Sequence, residues 1–221
     1  MYNDKSEQAY NREEMAQLAS TGWGRVAHRY AEELYNELSY KPFDQEWLKR
    51  FALAVPEAST VVDVGCGPGH VTHHLAGLGL DVQGLDLSEG MIQQARELQP
   101  KIPFHVGNML ELGAPEHSWG GIVSMYALIH LIREDVPLAL AGFRRVLKPG
   151  SPLLISVHCG SGVITAEEVF GEKVQIAATL FEADEMRGYV EEAGFTIEDL
   201  QTREPYEQEL ATMRLYVFAK S

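Results

Sequence analysis

Thr60-Val61-Val62-Asp63-Val64-Gly65-Cys66-Gly67-Pro68-Gly69-His70 is the stretch on which the reading of this chain turns. Thr60 to Val64 is a short apolar, β-branched run closed by glycines, which predicts a buried strand, and His70 to Leu78 can follow it as a helix. Gly65, Gly67 and Gly69 stand at every second position, so a ligand can press against bare backbone before the helix begins. By itself such a loop is equally a tight strand-to-helix turn. Its context adds meaning: Asp81 to Leu85 repeats the strand signal and ends at Asp86, 86 − 67 = 19 residues beyond the middle glycine. A carboxylate at that distance can accept both hydroxyls of a ribose.

Working outward, the alternation continues. Ser88 can cap the next helix, with Glu89 in its first turn against the helix dipole. Phe104 to Val106, Ile122 to Met125 and Leu153 to Val157 are further strand candidates, separated by helical stretches such as Asp135 to Leu147. This order predicts an α/β, doubly wound, mostly parallel seven-stranded sheet with right-handed helical crossovers. A helix carrying Met186, Tyr189, Val190 and Ala193 stops at Gly194. Thr196 to Leu200 and Arg214 to Phe218 then follow with no helix between them, so they form a C-terminal antiparallel strand pair. Toward the N-terminus, Ala31, Leu34, Tyr35 and Leu38 recur at helical spacing, and after Pro42 a second helix capped by Asp44 carries Trp47, Leu48 and Phe51. Residues 1–55 therefore read as an N-terminal helical cap and 56–221 as the ligand-binding domain.

The chain has 221 residues, 45% of them apolar, enough for a real core. Its 18 Lys and Arg against 32 Asp and Glu leave a net charge of −14, which opposes nucleic acid and anionic membrane as partners. Cys66 and Cys159 are too few for a disulfide framework and have no neighbour at metal-ligand spacing, so no metal is expected and a reducing cytoplasm fits. The N-terminus has no apolar signal core and no run approaches the length of a membrane helix.

The glycine spacing separates two cofactors. A dinucleotide fingerprint is G-x-G-x-x-G; here the pattern is Asp63-x-Gly65-x-Gly67-x-Gly69, and Pro68 removes a backbone donor that a pyrophosphate would use. A phosphate-free nucleoside fits better. In these residues the chain resembles the class I S-adenosylmethionine-dependent methyltransferases, and the likeness covers nearly everything after about residue 25. The resemblance implies that Gly65, Cys66, Gly67 and Gly69 form the cofactor loop under the methionine part, that Asp63 organises it and reaches the amino group, and that Asp86 holds the ribose. Gly84-Leu85-Asp86-Leu87-Ser88-Glu89-Gly90-Met91 is similar to the family's second motif, in which Leu87 and Met91 flank the adenine. Gly107-Asn108-Met109 stands where an acidic residue commonly meets the adenine amino group; Asn108 can accept that bond without charge. Arg145 to Gly150 resembles the helix-to-strand turn before the fifth strand, with Ser151 in place of a second glycine.

The fourth strand lacks the Asn/Asp-Pro-Pro-aromatic motif of amino-methylating nucleic-acid enzymes, so the expected acceptor is a small molecule. The expected products are the methylated acceptor and S-adenosylhomocysteine, from a monomer or homodimer. Tyr126, just past that strand, can close over the cofactor, and Tyr30 and Lys41 of the cap are candidates for the cofactor carboxylate. His130 and His158, after the fourth and fifth strands, are candidate general bases beside Tyr126, because histidine exchanges protons near neutral pH. Two other readings remain at this level: a protein that binds the cofactor without turnover, and an NAD-linked oxidoreductase.

Overall fold

A computed structural model describes residues 10–221 together with the backbone of Asn3–Asp4; the rest of the expected cap, residues 1, 2 and 5–9, lies outside the described residues. In chain order the strands are β1 (Asn3–Asp4), β2 (Val61–Val64), β3 (Val82–Asp86), β4 (Phe104–Val106), β5 (Gly121–Met125), β6 (Pro152–Cys159), β7 (Val163–Ala166), β8 (Ile176–Thr179), β9 (Thr196–Arg203) and β10 (Met213–Lys220). The helices are α1 (Arg12–Gln17), α2 (Trp23–Leu34), α3 (Pro42–Ala54), α4 (His70–Gly77), α5 (Glu89–Leu98), α6 (Val136–Val146) and α7 (Ala183–Glu192).

Seven strands form the main sheet in the order β4-β3-β2-β5-β6-β10-β9. β2 pairs in parallel with both β3 and β5, and β5 with β6, whereas β10 runs antiparallel to β6 and to β9. The chain leaves β2 toward β3 and β4 on one side and returns to β5 and β6 on the other. That reversal opens a crevice at the carboxyl ends of β2 and β5, where ligands bind in such folds. The period-two alternation of β10 shows why both sheet faces are covered. Leu215, Val217 and Ala219 join α6 and α7 residues such as Phe143, Met186 and Val190 in one core, while Tyr216 and Phe218 join Trp47, Phe51 and Leu75 of α3 and α4 in the other.

Local chemistry sets several element ends. Ser88 caps α5 as expected, its Oγ accepting the Met91 N–H at 3.4 Å. The expectation that Asp44 caps α3 is corrected: the helix starts at Pro42, whose missing N–H costs nothing in the first turn. Asp44 lies inside that turn and is 1% exposed, its carboxylate taken by Tyr216 and Arg203.

The cap is more than two helices. α1 opens with a reciprocal capping box between Asn11 and Glu14, continues through a π-helical turn at Leu18–Gly22, and runs on into α2. A second sheet, in the order β1-β7-β8, has no counterpart in the sequence reading. α2 lies against it through Val26, Val174 and Ile176. On its other side α2 docks on α5 through bare backbone: a Cβ on Gly90 would stand 2.6 Å from the Gly24 carbonyl oxygen. Gly90→Val is therefore expected to prise the cap from α5 and to cost about 1–3 kcal/mol, read as a lowered urea midpoint. An unchanged midpoint would mean that this contact does not form.

Candidate functional site

A cavity of about 560 Å³ lies over the carboxyl ends of β2, β3, β5 and β6, roofed by the cap and the small sheet. Its floor is the glycine loop. Gly65 has φ +79°, and a Cβ there would stand 2.1 Å from the Ala127 side chain, so no other residue fits between β2 and the segment after β5. Gly67 has φ +54°, and its missing side chain leaves open space, with the Met91 sulfur nearest at 4.0 Å. The Gly67 N–H donates to Asp86 Oδ2 and the Ser88 N–H to Asp86 Oδ1, both at 2.8 Å. Burial holds the Asp86 carboxyl above its ordinary range, opposed by these two donors. A carboxylate offers about four lone-pair sites, so capacity for two ribose hydroxyls remains.

Gly65, Cys66, Gly67, Asp86, Leu87, Met91, Asn108 and Met109 all line this cavity, as the sequence reading expected. Cys66 does so with a thiol that burial pushes well above its ordinary range, which makes it an inert wall. Asn108 Oδ1 accepts the Leu110 N–H at 2.9 Å, which leaves one lone pair on that oxygen and the NH₂ for a ligand. Two assignments are corrected by placement. Asp63 is buried beneath the loop, away from the cavity lining; it accepts the Thr72 hydroxyl at 2.6 Å and burial pushes its carboxyl up to about 6. It ties the loop to α4. Gly69 is likewise absent from the lining; its φ of +84° begins α4, and a Cβ there would meet the Phe104 ring at 2.7 Å.

The cap contributes Tyr30 and Lys41. Tyr30 stands edge-on to Trp23 and Phe170, with ring centroids 5.5 and 6.0 Å away. Lys41 is 4% exposed, with Nζ 2.6 Å from Glu37 Oε2 and 2.9 Å from Glu209 Oε1. Burial opposes its charge, but these carboxylates hold it above the ordinary lysine range. Glu37 also faces His70 Nε2 at 3.1 Å, and, against the cost of burial, His70 and Lys41 hold its carboxyl at about 2. His70 Nδ1 is left buried without a partner among the described residues, beside the glycine loop. Glu209 is shared between Lys41 and Arg203, and Arg203 reaches Asp44 at 3.0 Å. Glu37, Asp44, His70, Arg203, Glu209, Arg214 and Tyr216 were not among the site residues that the sequence pointed to. No spacing marks Asp44 or Lys41 as buried when the partners Arg203, Tyr216 and Glu209 lie more than a hundred residues away.

The three catalytic candidates line the same cavity. Tyr126 lines the wall beside His158, with ring centroids 5.3 Å apart, and its hydroxyl is 2.8 Å from that of Tyr216. His130 is not free as a base: the Trp23 indole N–H donates to its Nε2 at 3.0 Å, and its Nδ1 is 3.1 Å from the Ala177 carbonyl. The carbonyl can only accept, so Nδ1 carries the hydrogen, and burial lowers the ring's pKa to about 4. His158 Nδ1 meets the Thr212 hydroxyl at 2.8 Å, while Nε2 has no partner among the described residues. Burial, with Arg214 beside it, lowers this ring to about 3, too weak a base to hold a proton near neutral pH. Arg12 of α1, bonded bidentately to the buried Asp135 at the head of α6, closes the cap over the cavity.

Residues 61–150 match the model of a methyltransferase domain. The chain is 33% identical over 132 residues to the Bacillus subtilis (strain 168) protein that carries the name methyltransferase YqeM, covering 57% of this chain and 53% of that one. It is 34% identical over 103 residues to dTDP-3-amino-3,4,6-trideoxy-alpha-D-glucopyranose N,N-dimethyltransferase of Streptomyces venezuelae, covering 45% and 43%. The chain thus spans about half the length of these curated relatives. In fold it is similar to a crystal structure of a SAM-dependent methyltransferase from Methanosarcina mazei, with a TM-score of 0.69 at 19% identity over 76% of this chain and 94% of that one.

Proposed function

We propose that the chain is a class I S-adenosylmethionine-dependent methyltransferase, and that it transfers a methyl group from that cofactor to a small-molecule acceptor. The observation that carries this reading is the open backbone of Gly67 facing the Asp86 carboxylate inside one roofed cavity. Asp86 would take the ribose hydroxyls, and Leu87, Met91 and Met109 would enclose the adenine, with the Asn108 amide donating to a ring nitrogen. Gly65 and Gly67 would underlie the amino-acid part. The unpartnered His70 Nδ1 offers a lone pair to its ammonium, and Lys41 a positive charge toward its carboxylate.

When bound, the cofactor supplies a methyl group on a positively charged sulfur. The chain's residues then have to align an acceptor and exclude water. The roof of α1, α2 and the small sheet excludes water, and Arg12 on Asp135 fastens it. His130, held from both nitrogens, serves this design as a strut between α2 and β8 rather than as a base. A cytoplasmic protein without nucleic-acid partners fits the net charge of −14, and no helix among the described residues is long and apolar enough to cross a membrane.

S-adenosylhomocysteine at about 100 times its Kd is expected to stabilise the protein by about 2.7 kcal/mol, and NADH to leave its melting temperature unchanged. Stabilisation by NADH alone would replace this reading with the oxidoreductase one.

A further inference from the structure

Tyr126 is a non-glycine residue with φ +54°, directly after β5 and in the cavity wall. A side chain in that region of backbone space costs on the order of 1–3 kcal/mol and persists only where the surroundings enforce it. Here they do. Its N–H donates to the Ser156 carbonyl at 2.9 Å, and the Lys41 ammonium and Arg214 guanidinium stand 5.9 and 5.7 Å from its ring centroid.

The hydrogens of this cluster can be counted. Tyr216 is fully buried, and its hydroxyl oxygen is 3.1 and 2.9 Å from Arg203 Nε and Nη2, 2.9 Å from Asp44 Oδ1 and 2.8 Å from the Tyr126 hydroxyl. A guanidinium only donates, and a carboxylate ionised beside it only accepts. Tyr216 therefore gives its single hydrogen to Asp44, and the contact with Tyr126 has one remaining polarity: Tyr126 donates to Tyr216. Its own oxygen then keeps only lone pairs for anything else that reaches it.

We propose that Tyr126, Tyr216 and Asp44 form a proton relay that ends on the buried Asp44 carboxylate, and that the methyl acceptor is consequently a hydroxyl or N–H compound that sheds a proton on methylation. The proposal rests on the methyltransferase reading. The acceptor atom's electron pair forms the bond to the methyl carbon as the carbon–sulfur bond breaks, and that bond's electrons neutralise the sulfur. The acceptor's proton passes to Tyr126 Oη, the Tyr126 proton to Tyr216, and the Tyr216 proton to Asp44 Oδ1. No phenolate accumulates, in keeping with burial and Asp44 pushing the Tyr126 hydroxyl up to about 12. Asp44 is suited to receive the proton, since burial already raises its carboxyl. Arg203 then retains Glu209 at 2.6 Å, so protonating Asp44 strands no charge. After product release the proton returns to solvent by the same route.

Sinefungin tests this without knowledge of the acceptor, because it carries an amine on carbon where S-adenosylmethionine carries its methyl on sulfur. An ammonium at that place donates to Tyr126. The full-length protein is expected to bind sinefungin about ten-fold more tightly than S-adenosylhomocysteine, as a charged hydrogen bond allows. Tyr126→Phe keeps the ring and its cation contacts and should bring the ratio near one. Tyr216→Phe should lower it too, because the Tyr126 hydrogen loses its inward acceptor and turns outward. Taking the ratio within each variant removes any change in fold stability, and either variant suffices if the other does not fold. A wild-type ratio near one, or a preference retained in the variants, overturns the relay. A wild-type protein that binds neither compound overturns the methyltransferase reading itself.

Discussion

Replacing Arg203 by Met is expected to destabilise the protein by about 3–5 kcal/mol at pH 7, the range for removing one partner of a buried ion pair. Arg203 is 9% exposed and bonds to Asp44 and Glu209, whose side chains are 1% and 5% exposed. Methionine fills much of the same volume, yet it leaves Asp44 dependent on Tyr216, and Glu209 on Lys41, the Tyr206 N–H and Arg214 at 3.8 Å. The loss is expected to shrink in acid, and its sign follows from Glu209. Against the cost of burial, Arg203, the Tyr206 N–H and Lys41 hold that carboxyl at about 2, below its ordinary 4.5. A carboxyl lowered on folding contributes stability above its unfolded pKa and loses it as the pH falls toward the folded one. The gap between wild type and variant should therefore narrow below about pH 4.5. Urea titrations at pH 7 and pH 4 measure both effects; a loss under about 1 kcal/mol at pH 7 would place the pair among weak exposed ones.

Asp86→Ala is expected to weaken S-adenosylhomocysteine binding by about 1.5–3 kcal/mol, or roughly 10- to 150-fold. Two ribose hydroxyls lose their acceptor on entering the cavity. The Gly67 and Ser88 N–H groups lose theirs as well, so the loop is also less well held in its bound shape. 5′-Methylthioadenosine has the same ribose but no amino-acid part, and it should suffer the same loss. Calorimetric titration of both compounds checks this. Unchanged affinity for either would move the ribose away from β3.

Much of the cavity floor was legible in advance because it is local. Gly65 and Gly67 lie between one strand and one helix, and Asp86 ends the next strand, so chain order and strand periodicity bring them together. The antiparallel β9–β10 pair was legible for the same reason: two strand-like runs with no helix between them have no room for a parallel crossover. Where the local reading erred, a buried hydrogen-bond partner had taken up the group. Asp44 looked like a cap for α3, but Tyr216 and Arg203 hold its carboxylate. Asp63 looked like a ligand contact, but Thr72 holds it beneath the loop. His130 looked like a base at the sheet edge, but Trp23 and Ala177 occupy both of its ring nitrogens, whereas His158 gives only Nδ1 to Thr212.

By itself, then, the sequence determined the main-sheet strands and the helices between them, the bare-backbone loop and the carboxylate facing it, because glycine freedom, strand alternation and motif spacing act within a few tens of residues. Tertiary structure alone decided which charges are buried, which histidines keep a free nitrogen, that β7 and β8 join the cap, and which way the Tyr126 hydroxyl points. Those properties depend on partners such as the 172-residue separation of Asp44 and Tyr216. Desolvation and hydrogen-bond polarity take their sign only when such groups meet.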